Sequence, residues 1–387
     1  MWIRLLLGAA FSGAIHFFVW WTLVKPAQLP RRIHLAISIA MIALYLSIPI
    51  TTTSRLWAPS LASTFGWLTM TWLAFVGLCF IISVAITVPR LVARIGRRAA
   101  KRPPPTLDVI DRRKFLARVT SGAAVVAVGG SVVRGMIEAR GEHEVVDVEV
   151  PLAKLPKALD GFTIVQLSDL HVGMTIDRAF VQRVVDHANR LSPDLVALTG
   201  DLVDGPVADL RDDVAPLAAL RAKHGVFAVT GNHEYYAGVD PWIDAIKQLG
   251  VRYLRNEMVT IGEGDATFHL AGVDDHGARR YRGHGEDLER ALVGRDPTRA
   301  LVLLAHQPRQ VRRAAKHGVD LQLSGHTHGG QIWPWHYIVS LQQGGLLAGR
   351  YTHGETQLYV TRGCGYWGPP VRLLAPLEIT RVILRAA

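Results

Sequence analysis

Acidic side chains are missing from the start of the chain: no Asp or Glu precedes Asp108. Cysteine is almost missing too, with Cys79 and Cys364 alone. That excludes a disulfide scaffold and a zinc module built on thiolates. Charge of either sign is scarce, at 19% of the chain against about 25% in ordinary soluble proteins. It is also unevenly divided. Residues 1–118 hold fifteen Lys and Arg against two Asp, whereas residues 135–387 hold 27 against 30 acids. The net charge of +11 therefore belongs to the first third, where basic residues flank apolar runs instead of forming a soluble basic face. Nucleic acid is not the expected partner. A hydrophobic content of 49% excludes intrinsic disorder.

The uncharged stretches Leu5–Val24, Ile33–Ile50 and Leu61–Val88 predict three transmembrane helices within residues 1–90. A fourth run, Val119–Val133, is shorter and lies between Arg118 and Arg134. With its flanks it predicts an anchor over 119–137, its arginines reaching back to the interface. Residues 91–118 read as a basic cytoplasmic loop, broken by a stiff Pro-rich stretch at 101–105. Lys25, Arg31 and Arg32 mark the first connection, and the second carries only Arg55. The positive-inside rule then places the catalytic part outside the cytoplasmic membrane. Were 119–137 not to span, that part would face the cytoplasm. Arg112-Arg113-Lys114-Phe115-Leu116 resembles a twin-arginine export signal, with Asp111 and Ala117 departing from the usual neighbours. The twin-arginine translocation machinery is thus a candidate partner. No A-x-A-like site follows, so the anchor is expected to stay uncleaved.

From about Val145 the apolar period changes. Strand-like runs at Thr163–Leu167, Leu195–Thr199, Val226–Thr230, Leu301–Ala305 and Leu321–Ser324 alternate with helix-like stretches at Asp177–Asn189, Arg211–Lys223 and Pro241–Leu249. Each strand-like run leads straight into a polar cluster. These are Asp169-x-His171, Gly200-Asp201-x-x-Asp204, Gly231-Asn232-His233-Glu234, His306, and Gly325-His326-Thr327-His328. Ligand sites gather at the C-terminal ends of strands in α/β sheets. Residues two apart on an extended segment face one way, so Asp169 with His171, and His326 with His328, would each present two donors to one place. Five of the sixteen histidines lie in these clusters. Carboxylate, amide and imidazole together suit two divalent ions such as Mn, Fe, Zn or Mg, with Mn favoured.

The series resembles the calcineurin-like metallophosphoesterase superfamily, and Ser168–Gly173, Thr199–Gly205 and Ser324–Gln331 resemble its bacterial membrane-anchored phosphodiesterase branch. The tail motifs Tyr359–Gly363 and Pro369–Arg372 match as well. The resemblance spans about residues 145–385 and implies a four-layer α/β/β/α sandwich, a domain of residues 145–387, behind an α-helical transmembrane region. Carried over by motif, Asp169, His171 and His328 would hold one metal. Asn232, His306 and His326 would hold the other, with Asp201 shared. A hydroxide bridging the two ions would attack phosphorus. His233 would stand near the leaving oxygen as general acid, with Asp204 fixing its tautomer. Glu234 reads as a structural or solvated carboxylate.

The implied enzyme is a membrane-anchored phosphoesterase, more a diesterase than a monoesterase, acting on a cell-envelope or lipid-linked substrate. No substrate-binding residue is identifiable. Arg279-Arg280-x-Arg282 could meet an anionic headgroup or be a surface loop, and Trp333–Tyr337 could lie at the bilayer surface or pack under a loop. One alternative is an inward-facing hydrolase of a nucleotide-linked lipid precursor, like UDP-diacylglucosamine pyrophosphohydrolase. Another is a non-catalytic, metal-bound regulatory module on a membrane sensor or transporter. Against the last, the three longer apolar runs carry no Asp, Glu, Lys or Arg of the kind that marks ion paths, and all seven proposed ligands are present.

Overall fold

A computed structural model describes residues 2–54, 58–100 and 107–387. Arg55 and the Pro-rich 101–105 lie outside the described residues. The chain forms two units: Met1–Met136 with Gly368–Val371, and Ile137–Trp367 with Arg372–Ala387.

In the helical unit, α1 (Trp2–Val19) runs through a π-helical turn, Trp20–Val24, into a 3-10 turn, Lys25–Ala27. Pro26 and the left-handed Gln28 (φ 46°) end it. Helices α2 (Arg31–Ser54), α3 (Pro59–Ala99) and α4 (Leu107–Arg140) follow. Among the described residues, four stretches are long and apolar enough to cross a membrane: Leu6–Ala27, Arg31–Ser54, Thr64–Ala99 and Lys114–Arg140. The last has 27 residues, about 40 Å of helix against a hydrocarbon core near 30 Å. Polar groups bond across the bundle, as water-free surroundings require. Trp72 Nε1 donates to His16 Nε2 at 2.9 Å, whose Nδ1 donates to the Ser12 carbonyl at 2.7 Å. His16 is therefore a satisfied structural residue. The basic segment 91–118, expected as a loop, is helical on both sides of the undescribed stretch. Its Arg, Lys, Leu and Ala residues favour helix, and Arg97 and Arg98 suit the C-terminal end of α3.

The second unit is a four-layer sandwich. One sheet has the order β1-β12-β2-β3-β4-β5, formed by Glu144–Leu152, Glu378–Ala386, Thr163–Leu167, Leu195–Leu198, Val226–Ala228 and Arg252–Tyr253. The other has the order β10-β11-β9-β8-β7-β6, formed by Gly349–His353, Thr356–Val360, Leu321–Ser324, Leu301–Leu304, Ala266–Gly272 and Glu257–Glu263. β2 to β5 pair in parallel, as do β7, β8, β9 and β11. Such strands are covered on both faces and read as continuous apolar runs. Ile164, Leu195, Val302, Leu321 and Leu323 fill the space between the sheets. Val165, Leu167, Val196 and Leu198 face outward onto α5 (Arg178–Arg190), α6 (Val207–Val214) and α8 (Val239–Lys247). Helices α9 (Leu288–Ala291) and α10 (Val311–Lys316) cover Ala271, Leu301 and Leu303 of the second sheet. The helix expected over 211–223 is instead α6 followed by a 3-10 turn, Ala215–Ala219, because Pro216 cannot supply the next helical N–H. Between β4 and α8 lies α7 (Asn232–Ala237), and α11 (His336–Gln342) follows β9.

Candidate metal centre

The five clusters do come off strand ends, but not along the edge of one sheet. β2, β3 and β4 belong to the first sheet, β8 and β9 to the second. The site forms where the C-terminal edges of the two stacked sheets meet. Nor are the paired donors carried on extended backbone. Asp169 (φ 56°), His171 (φ 52°), Asp201 (φ 53°), His326 (φ 74°) and His328 (φ 52°) are all left-handed. That conformation costs an L-residue free energy and persists where surrounding structure enforces it. Each strand turns sharply at its end and aims its side chains inward, over the sandwich edge. Two glycines make room: a Cβ on Gly231 would overlap Asp201 Oδ1, and one on Gly325 would overlap Ser168 Oγ and Asp169 Oδ2.

Two donor groups result. In the first, Asp169, His171 and His328 present ligand atoms within 4.8 Å of one another. His171 Nδ1 donates to Asp204 Oδ1 at 2.8 Å, leaving its Nε2 to face His328 Nε2 at 3.1 Å. In the second, Asp201, His306 and His326 converge likewise. His306 Nδ1 donates to the Thr199 carbonyl at 2.8 Å, leaving Nε2 3.2 Å from His326 Nδ1 and 3.1 Å from Asp201 Oδ2. Asp201 Oδ2 also lies 3.7 Å from His171 Nε2, so one carboxylate oxygen faces an imidazole of each group. Asn232 opens α7 directly after Gly231, which is packed against Asp201. Its Oδ1 is buried without a hydrogen-bond partner. Opposed imidazole nitrogens and an orphaned amide oxygen are the donor set that a pair of divalent ions would satisfy. The residues present fit the group.

Electrostatics follow from burial and proximity. Burial pushes the Asp169 carboxyl above its usual range, and the neighbouring Asp201 adds to the shift. Asp201 and Asp204 are held well below theirs: burial opposes this, but the surrounding histidines outweigh it. Burial pulls His326 down to about 3 and pulls His328 below its ordinary value, so both are neutral, the form that ligates. His233 goes the other way. Burial opposes its charge, yet Asp201 and the 2.7 Å hydrogen bond from its Nδ1 to Asp204 Oδ1 push it up to about 9. His171, Asp201 and His233 also form a possible ligand trio, so His233 stands within reach of both roles.

Three features were not legible as such in the sequence. Asp204 accepts from His171 as well as His233 at one oxygen. Glu234 is fully buried, not solvated. Its carboxylate accepts the N–H groups of Gly231, Asp201 and Leu202 at 2.6, 3.0 and 2.6 Å, stapling α7 to the turn after β3. Arg372, marked only as part of a tail motif, is buried and donates to the carbonyls of Arg362, Gly365 and Ala375. This holds the strap whose Cys364 and Gly365 N–H groups bond the carbonyls of Ser168 and Asp169. By contrast, the Arg279–Arg282 region does not enter the centre: Arg279 donates to the Glu286 carbonyl, and the nearby Asp274 is engaged by Arg255 at 2.7 and 2.8 Å.

Residues 162–330 match the profile of the calcineurin-like phosphoesterase family. A transmembrane protein with metallophosphoesterase domain from Bos taurus is 42% identical over 290 residues, covering 72% of this chain and 65% of that protein. The corresponding Danio rerio protein is 39% identical, covering 68% and 62%. An uncharacterized metallophosphoesterase of Helicobacter pylori is 40% identical over 271 residues, covering 70% and 71%. The chain thus spans just under two thirds of the two vertebrate relatives.

Proposed function

The chain belongs to the calcineurin-like phosphoesterase family, and from that premise we propose a membrane-anchored, dimetal phosphodiesterase acting on a cell-envelope or lipid-linked ester. Asp169, His171 and His328 would hold one ion, and Asn232, His306 and His326 the other, with Asp201 shared. The observation that carries this reading is the position of Asp201 Oδ2, 3.7 Å from His171 Nε2 and 3.1 Å from His306 Nε2. Two divalent ions there would supply Lewis acidity, activating water and neutralising charge on the phosphoryl oxygens. The chain's own residues do the rest. Asp204 fixes the Nδ1–H of both His171 and His233, so the first can ligate through Nε2 and the second can present Nε2–H to a leaving oxygen. With its pKa pushed up to about 9, His233 is protonated at neutral pH and can give that proton to the departing alkoxide. Support for a lipid-linked substrate comes from tethering: helices long enough to span a membrane precede the domain in the same chain.

The test is hydrolysis of bis(p-nitrophenyl) phosphate by the full chain in detergent, with Mn supplied or chelated, beside Asp201→Asn. Turnover should require metal. It should fall by more than about a hundredfold in the variant, since loss of a partner outside the ligand set alone costs 10–100-fold. Equal turnover by the variant would remove Asp201 from the shared position.

A further inference from the structure

Two large aromatic side chains stand in the open beside His233. Tyr236 is 64% exposed and Trp367 is 56% exposed. Their rings lie 5.1 and 5.8 Å from the imidazole, inclined at 61° and 74°. They come from separate parts of the same unit, Tyr236 from α7 and Trp367 from the loop after β11. A solvent-exposed Trp in a loop costs hydrophobic free energy, and here the backbone that carries it is held on both sides of the peptide. Gln331 Nε2 donates to the Trp367 carbonyl at 3.0 Å, and the Trp367 N–H donates to Gln331 Oε1 at 2.9 Å. Gln331 itself follows the last metal motif and is left-handed, at φ 51°. Tyr236 is carried on α7, four residues after Asn232. Both rings thus stand beside His233 and are left uncovered, an arrangement suited to an incoming flat group.

We propose that Tyr236 and Trp367 form an aromatic subsite for the leaving group, so that the enzyme selects phosphoesters whose departing alcohol carries a flat ring close to the ester oxygen. This rests on His233 standing at the leaving oxygen, as proposed above. A ring attached there would lie against both aromatic faces while His233 reaches the oxygen between ring and phosphorus.

Binding of naphthylmethyl phosphonate, whose CH2 stands in for the ester oxygen, and of methyl phosphonate to the Mn-loaded full chain in detergent tests this without turnover. Wild type should prefer the naphthyl compound by about tenfold, the size of one or two aromatic contacts. Trp367→Ala should abolish most of that preference while keeping its metal content. Tyr236→Phe should keep the preference, because the ring remains. An unchanged preference in both Trp367→Ala and Tyr236→Ala, with metal-dependent turnover intact, would overturn the subsite alone. Aryl preference that depends on Trp367 in a protein without metal-dependent turnover would uphold the subsite and overturn the reading as a phosphodiesterase.

Discussion

Asp204 Oδ1 receives two imidazole N–H groups, from His171 at 2.8 Å and His233 at 2.7 Å. One atom thus serves a proposed ligand and the proposed acid together. An amide in its place has no charge and can turn its NH2 toward either imidazole, forcing the wrong tautomer on that ring. Asp204→Asn should therefore lower metal affinity and turnover by about 10–100-fold each. His233→Ala should keep both metals and lose rate only. Metal content measured alongside kcat separates the two. If Asp204→Asn keeps full metal affinity, the hydrogen bond to His171 does not govern ligation; if His233→Ala loses metal, His233 is a ligand and not the acid. At this scale the sequence was informative about residue type and silent about angle. Spacing placed Asp169 with His171, yet the reason offered for it, an extended backbone, fails because both residues are left-handed. A positive φ at Asp or His leaves no trace in spacing, since it is imposed by contacts such as those at Gly325 and Gly363, which are distant in sequence.

Among the elements, the junction between α4 and β1 carries a pH-dependent link. His143 is buried, donates from Nε2 to the Cys364 carbonyl at 2.8 Å, and meets Phe180 and His187 edge-on. Burial lowers its pKa to about 4, opposed by that hydrogen bond and reinforced by His187, Arg372 and Arg183. The unfolded chain takes up this proton near pH 6.5, the folded one only near 4. Stability is therefore complete above pH 6.5 and declines as pH falls toward 4, by about 3 kcal/mol in all. His143→Gln can keep the donor without the charge. Its denaturant midpoint should fall less over that window than wild type's; parallel curves would show that the folded state charges His143 freely. The core strands were readable because Leu195–Leu198 and Leu301–Leu304, covered on both faces, are unbroken apolar runs. Assignment of β8 and β9 to a second sheet was not, because it depends on which strands pair, and β11 inserts beside β9 from much later in the chain. Glu234 escaped for the same reason: its N–H partners at Asp201 and Leu202 lie over thirty residues away.

At the scale of the whole molecule, compartment depends on the number of crossings and on which connections are basic. Lys114–Arg140 is long enough to cross, and ten basic residues between Arg90 and Arg118 precede or open it. On the proposed topology, with that connection inside, the crossing that follows it would put the catalytic unit outside. Protease added to spheroplasts should cut within residues 145–387, whereas full protection would reverse the orientation. The same assay divides the two explanations for Arg112 and Arg113. Replacing both with Lys preserves every charge the positive-inside rule counts, but not a planar guanidinium pair that a receptor would read. Because Asp111 and Ala117 already depart from the export pattern, the double Lys variant should remain protease-sensitive. Protection of that variant alone would show that translocation depends on the twin-arginine machinery, not on charge.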